Sequence, residues 1–152
     1  MPKKVKLKKV TEYNWEAVSD LELSEDQQDL VAPNVYSIAE SQFNPHAIPR
    51  AIYAGSKLVG FVMYEPCVDD DCPHEYLIYR FMIDHRHQSK GYGRLALQKV
   101  IEDIKEDPAW ACIRICYMPE NKAAKKFYRS LGFIEVGIDE DNEVIAEIRN
   151  RT

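Results

Sequence analysis

Val5, Leu7 and Val10 alternate with lysines, a pattern that predicts a short first strand with one wet face. A helix is expected to begin near Asn14, whose side chain can cap the amides of Trp15-Glu16-Ala17. Helical stretches are also expected over 25–31 and, after the Pro33-Asn34 break, over 35–43; Pro45 and Pro49 then bracket a loop. Residues 51–53 and 58–64 flank Ala54-Gly55-Ser56-Lys57 and read as a hairpin. Its second arm is apolar on both faces, so it belongs in the middle of a sheet. A polar loop over 65–74 leads into another apolar strand over 76–83, interrupted only by Arg80.

Two later segments carry the helical period plainly. Leu97, Val100, Ile101 and Ile104 form one apolar stripe, and Asp107-Pro108 ends that helix. Ala124, Phe127, Tyr128 and Leu131 repeat the spacing between Pro119-Glu120-Asn121 and Gly132, where a helix terminates. A strand is expected over 110–117 between them. Two more, over 133–136 and 144–148, flank the turn Asp139-Glu140-Asp141-Asn142. No repeat, linker or low-complexity stretch interrupts the chain, so residues 1–152 read as one mixed α/β (α+β) domain.

Composition narrows the class. The chain has 152 residues, 45% hydrophobic and 30% charged, ordinary values for a globular domain. No apolar run approaches the roughly 20 residues of a membrane span, so no membrane partner is expected. The first residues lead into lysines rather than an apolar block, so no secretory signal is expected. With four cysteines in a chain able to bury its own core, a reduced, cytoplasmic protein is the expectation. Net charge is −5, yet Lys3, Lys4, Lys6, Lys8 and Lys9 crowd the first nine positions, leaving fifteen basic against 25 acidic residues elsewhere. That acidic body argues against nucleic acid and favours cationic ligands. The lysines themselves read as the guarded edge of a sheet.

Chemistry concentrates in Gln88-Ser89-Lys90-Gly91-Tyr92-Gly93-Arg94, between a buried strand and an amphipathic helix. Two glycines allow a tight turn and close approach of backbone to ligand, and the helix start offers unpaired amides to a phosphate or pyrophosphate. Lys90 and Arg94 add positive charge. Gly91-Tyr92-Gly93-Arg94-Leu95-Ala96 also fits a dinucleotide fingerprint, but seven residues separate Ile83 from Gly91 and 90 residues precede the motif. The dinucleotide fold requires the opposite arrangement.

Gln88-x-x-Gly91-x-Gly93 resembles the Q/R-x-x-G-x-G/A pyrophosphate loop of the GNAT superfamily, the acyl-CoA-dependent N-acyltransferases. Asn121-x-x-Ala124-x-x-Phe127-Tyr128-x-x-x-Gly132-Phe133 is similar to that superfamily's second block, in the same order and spacing. The segment from Tyr79 to Gln88 looks most like that of bacterial diamine and polyamine acetyltransferases. The resemblance implies a GNAT fold: a central mixed, mostly antiparallel sheet in which two parallel strands splay apart over acetyl-CoA. It implies that Phe81, Met82 and Ile83 line the pantetheine arm. Gln88, Ser89, Lys90, Gly91, Tyr92, Gly93 and Arg94 would then hold the pyrophosphate. By the same carry-over Asn121 would bond the cofactor arm, Ala124 would admit it, and Tyr128 would be the catalytic acid. No metal is called for.

The base is left open. Similar diamine acetyltransferases often carry a carboxylate immediately before the Arg-Phe pair, where this chain has Tyr79; Glu75 could act through water. Glu25, Asp26, Asp29, Glu40 and the run Asp69-Asp70-Asp71 could pair with a small cationic amine. The expected reaction is acetyl transfer to a primary amine, a polyamine first. A protein lysine or amino-terminal acetyltransferase and a silent acyl-CoA-binding module are the alternatives. The resemblance also admits a homodimer, which such enzymes commonly form. Cys67-x4-Cys72-x-His74 lacks a second ligand pair and reads as a loop with reduced thiols, while Cys112 and Cys116 are expected to pack as small apolar groups.

Overall fold

The computed structural model describes residues 4–151, the side chains of residues 29 and 30 excepted. Lys3 and the side chain of Asp29 therefore lie outside the described residues. Seven strands form one sheet: β1 (Val5–Lys9), β2 (Ile48–Ala54), β3 (Lys57–Cys67), β4 (Cys72–Ile83), β5 (Cys112–Tyr117), β6 (Ile134–Ile138) and β7 (Val144–Arg149). Their spatial order is β1-β2-β3-β4-β5-β7-β6, antiparallel throughout except for β4 against β5. Helices α1 (Trp15–Ser19), α2 (Asn34–Phe43), α3 (Tyr92–Lys105) and α4 (Lys122–Ser130) cover it. Among the described residues, no helix is long and apolar enough to cross a membrane. The expected mixed, mostly antiparallel sheet with one parallel pair is what the chain adopts.

Two cores occupy the two faces. On one, Leu97, Val100 and Ile104 of α3 are buried against Val59, Val62, Ile78, Ile113 and Ile115 of the sheet. On the other, Val18 of α1 and Ile38 of α2 close over Phe61, Met63 and Met82. β3 serves both, which is why its sequence is apolar on both faces.

Three local expectations are corrected. The polar segment 65–74 is not a loop: β3 and β4 continue through it as a long hairpin closed by the short helical turn Val68–Asp70, with Cys67 opposite Cys72. Paired backbone here outweighs the polarity of the side chains, because both strands face solvent at that end. Asn14 does not cap α1. Its Oδ1 accepts from the Thr11 amide at 2.7 Å and its Nδ2 donates to the Lys9 carbonyl at 3.0 Å, tying β1 to the helix start. Cys112 is buried but not merely apolar, since its thiol donates to Glu147 Oε2 at 3.2 Å.

β4 and β5 are paired only from Glu75–Cys112 to Ile78–Ile115. Beyond that, β4 runs on to Ile83 and β5 to Tyr117 with no ladder between them. The separation begins at a bulge: Tyr64 pairs with Ile78 and Met63 with Arg80, so Tyr79 is an extra residue in β4. A bulge bends its strand and re-aims side chains. Here it puts Tyr79 against the second core and lets Arg80 share a face with Met63.

Candidate active site

The strand gap opens into a cleft of about 960 Å³. Its walls include Phe81, Met82 and Ile83 of β4, Tyr117 of β5, the loop from Gln88 to Arg94, and Asn121, Ala124, Phe127 and Tyr128. Of the residues that the resemblance assigned to the cofactor and to catalysis, only Lys90 is absent from the lining.

The loop is built for its conformation. Gly91 has φ +86° and caps α3, and Ser89 before it has φ +63°. The first helical hydrogen bond runs from the Leu95 amide to the Gly91 carbonyl, so the amides of Gly93 and Arg94 have no acceptor within the helix. Gln88 does not simply point outward: its Nε2 donates to the Ile83 carbonyl at 2.9 Å and to Gln27 Oε1 at 3.0 Å. It thereby ties the loop to the end of β4 and to the 3-10 turn Glu25–Leu30. Arg94 donates to Ser130 Oγ and lies over the Phe127 ring, joining α3 to α4 at the rim.

Asp84, fully buried, holds the same corner. Its carboxylate accepts from the Glu22 and Arg86 amides, both at 2.9 Å, and from the Arg86 guanidinium at 2.9 and 3.2 Å. Burial alone would raise its pKa, but the Arg86 side chain, those amides and the Arg86 charge hold it well below the usual carboxylate range. Sequence reasoning missed Asp84. The available signal was an acidic residue two before an arginine, immediately after an apolar strand.

On α4, Asn121 Oδ1 accepts from the Ala124 amide at 3.1 Å, the capping geometry of a helix start. Its side-chain amide donates no hydrogen bond to the described residues, and Asn121 lines the cleft. Tyr128 is packed among rings, with Tyr117 at 5.6 Å, Phe127 at 5.5 Å and Phe133 at 5.9 Å between centroids. Burial, helped by Tyr117, pushes its phenol up to about 12. It is therefore a protonated hydroxyl, a donor, over the whole physiological range.

Other expectations separate. Glu75 lies at the paired end of β4 and β5, bonded to Arg114 at 3.0 Å, and does not line the cleft. A hydrogen bond from Cys72 and the charge of Arg114 outweigh burial and lower its pKa, which suits an ion-pair partner better than a base. Asp69, Asp70 and Asp71 sit in the exposed hairpin turn and contribute nothing to the cleft. Glu40 contacts Arg80 at 3.7 Å, and Arg80 also donates to Ser37 Oγ at 3.2 Å. Tyr79 lines the cleft, its phenol pushed up to about 12 by burial and by Glu65 and Glu40.

Two carboxylates that the sequence left in or beside a turn, Asp139 and Glu143, line the cleft instead. The signal was their position: Glu143 immediately precedes β7, and Val144 pairs with Tyr117 at the open end of β5.

Comparison with known proteins agrees with this geometry. Residues 9–133 match the acetyltransferase (GNAT) family. The chain is 29% identical to the spermine/spermidine N(1)-acetyltransferase of Bacillus subtilis (strain 168) over 132 residues, 85% of this chain and 87% of that one. Among solved structures, aminoglycoside acetyltransferase AAC(6')-Ib in complex with coenzyme A superposes with a TM-score of 0.81 at 15% identity, covering 97% of this chain and 96% of that one. The ribosomal-protein alanine N-acetyltransferase of Escherichia coli gives 0.72 at 17% identity, covering 95% and 93%. A seven-stranded sheet split between its one parallel pair, a glycine loop opening α3 at that split, and a family match across most of the chain lead to one conclusion: the chain belongs to the acetyltransferase (GNAT) family, acyltransferases that use acetyl-CoA as donor.

Proposed function

We propose that the protein transfers acetyl from acetyl-CoA to a primary amine of a polyamine such as spermidine or spermine. The observation that carries this reading is the make-up of the cleft. A phosphate-type loop lies at one end, and the carboxylates Asp139 and Glu143 stand near the open strand ends. A polyamine presents several ammonium groups, each able to pair with a carboxylate. The likeness to a spermine/spermidine acetyltransferase supports the same substrate class.

In this reading, Gln88, Ser89, Gly91, Tyr92, Gly93 and Arg94 hold the pyrophosphate, with first-turn amides donating to its oxygens. Phe81, Met82 and Ile83 run beside the pantetheine arm. They can pair with its amides through backbone groups that β5 no longer reaches. Asn121 donates its side-chain amide to the arm, and Ala124 leaves room for it. The amine must be neutral to attack, although an alkylammonium has a pKa of about 10.4. As the carbon–sulfur bond breaks, Tyr128 gives its proton to the departing thiolate, a charge the enclosed aromatic surroundings would otherwise penalise.

The test is CoA release, read with a thiol reagent against an enzyme-only blank that removes the protein's own cysteines. Spermidine, spermine, putrescine, aminoglycosides, amino acids and lysine peptides are compared. Saturable turnover of a polyamine is expected. Background rates with all three polyamines, beside turnover of an aminoglycoside or a peptide, would sink the reading and move the substrate to that class.

A further inference from the structure

The cleft lies where β4 and β5 separate, and the residues that line it differ in chemistry between the two faces of the sheet. Tyr117 and Val144 are register partners and face α4, where the Tyr117 ring lies 5.6 Å from that of Tyr128. Side chains alternate along a strand, so Cys116 and Glu143, one residue before each partner, face the opposite way. On that far side the bulge in β4 presents Arg80, held by Ser37 and Glu40 of α2. The acyl donor's loop and Tyr128 thus occupy one side of the gap, and Glu143 occupies the other.

We propose that Glu143 receives the acceptor's ammonium group at this gap and takes the proton that must leave before attack. The assignment rests on the amine-acetylating reading above and names the acceptor-side residue for it.

Three observations carry it. First, the donor atoms of Cys116, Asp139 and Glu143 all lie within 4.8 Å of one another in the cleft wall, close enough for one ammonium to reach both carboxylates. Second, the two carboxylates are not equivalent. Asp139 Oδ1 is committed to the turn, accepting from the Asp141 amide at 3.0 Å and the Glu143 amide at 2.9 Å. The Glu143 carboxylate accepts no hydrogen bond from the described residues, while its backbone is held by the Asp139 amide at 2.9 Å. A fixed backbone with an uncommitted carboxylate is what a proton acceptor needs. Third, the surrounding charges suit the task. Burial, Asp139 and Asp141 raise its pKa, and Arg80 alone opposes them; Cys116, the remaining neighbour, is a neutral thiol pushed up to about 11. The Glu143 pKa is therefore raised from that of an ordinary carboxylate, the direction that favours proton acceptance from an ammonium.

The proton count closes. One proton passes from R–NH3+ to Glu143, and the nitrogen lone pair attacks the thioester carbonyl to form the C–N bond. The C–S bond breaks, the sulfur keeps its electron pair, and Tyr128 protonates it. The nitrogen's second proton returns to the Tyr128 phenolate through solvent, and Glu143 releases its own to bulk water. The net products are the amide, CoA–SH and one H+.

The test compares wild type with Glu143→Gln and Glu143→Asp, using spermidine between about pH 4 and pH 10. At neutral pH the Gln variant should lose about 100-fold in kcat/KM, with acetyl-CoA affinity by calorimetry unchanged. Wild-type kcat/KM should fall on the acid side as Glu143 protonates, and that limb should vanish in Gln and return with Asp. The deficit should shrink as pH approaches the amine's own pKa, where free amine needs no base. If wild type acetylates spermidine and Glu143→Gln matches it in rate and pH profile, the assignment falls and the polyamine reading stands. If wild type acetylates no polyamine, both fall. Loss of acetyl-CoA binding in the variants would mark a structural role and overturn the assignment.

Discussion

Helices α3 and α4 carry the same apolar spacing, yet the protein uses them differently. On α3, Ala96, Leu97, Val100 and Ile104 are buried against the sheet. On α4 no residue is fully buried: Ala124, Phe127, Tyr128 and Leu131 pack against the core while Ala124, Phe127 and Tyr128 also line the cleft. One stripe excludes water by contacting protein. The other is left half-open, with rings stacked beside space sized for a ligand. An apolar stripe at helical spacing therefore says which face turns inward, and not whether protein or ligand fills the inside.

The difference predicts that α4 changes alter rate and α3 changes alter stability. The largest effect expected is from Tyr128→Phe. Losing the hydroxyl should lower kcat by about 10²–10⁴-fold, while the unchanged ring packing leaves the melting temperature near wild type. An unaltered kcat near neutral pH would remove Tyr128 as the acid. Leu97→Ala on α3 should do the converse. Truncating a fully buried leucine costs about 2–5 kcal/mol, seen as a lower denaturation midpoint with kcat retained in the folded fraction.

Ligand binding sharpens the contrast further. Acetyl-CoA at about 100 times its Kd should add about 2.7 kcal/mol of stability. Hydrogen exchange should slow at residues 88–94 and in α4, and change least in the middle of α3. Uniform slowing along both helices would mean that α4 is no more open than α3. A matched pair of substitutions comes next in size. Ala96→Leu overfills a packed core and should cost about 1–3 kcal/mol. Ala124→Leu projects into the cleft, so it should keep the fold and weaken acetyl-CoA binding. Equal destabilisation by both would break the comparison.

How much of this was legible depended on how local the signal was. The stripe of α3, the glycine loop and the Asn121–Phe133 block are short-range patterns, and each appears where the residues pointed. The split sheet was legible only through the family resemblance, because the bulge at Tyr79 exists only in register with β3. Which carboxylates line the cleft was hidden for the same reason. Asp69-Asp70-Asp71 is the most acidic run nearby but ends on an exposed turn. Glu143 falls between the turn at 139–142 and the last expected strand, and it reaches the cleft only because β7 inserts beside β5. Asp84 gave no sign that its carboxylate bonds an amide 62 positions earlier. Strand order, a long-range property, decided the fate of each.

The smallest effect expected, and the finest test of the contrast, is Gly93→Ala at the start of α3. A Cβ there would stand 3.3 Å from Phe81 Cζ and 3.6 Å from Ile83 Cγ1, tight against a ring rather than against backbone. Gly93 has no positive φ, so alanine fits the backbone and gains up to about 1 kcal/mol of helix propensity. That gain offsets the crowding, and the melting temperature should barely move. Phe81, however, stacks on Phe127 across the cleft at 6.4 Å, and the new methyl can be relieved only by moving the ring. The displacement falls on the wall beside the donor, so KM for acetyl-CoA should rise by less than about tenfold, below 1.4 kcal/mol, with kcat retained. A clear fall in melting temperature with unchanged KM would place Gly93 with the packed stripe of α3 and move the boundary between the two regions to the loop before it.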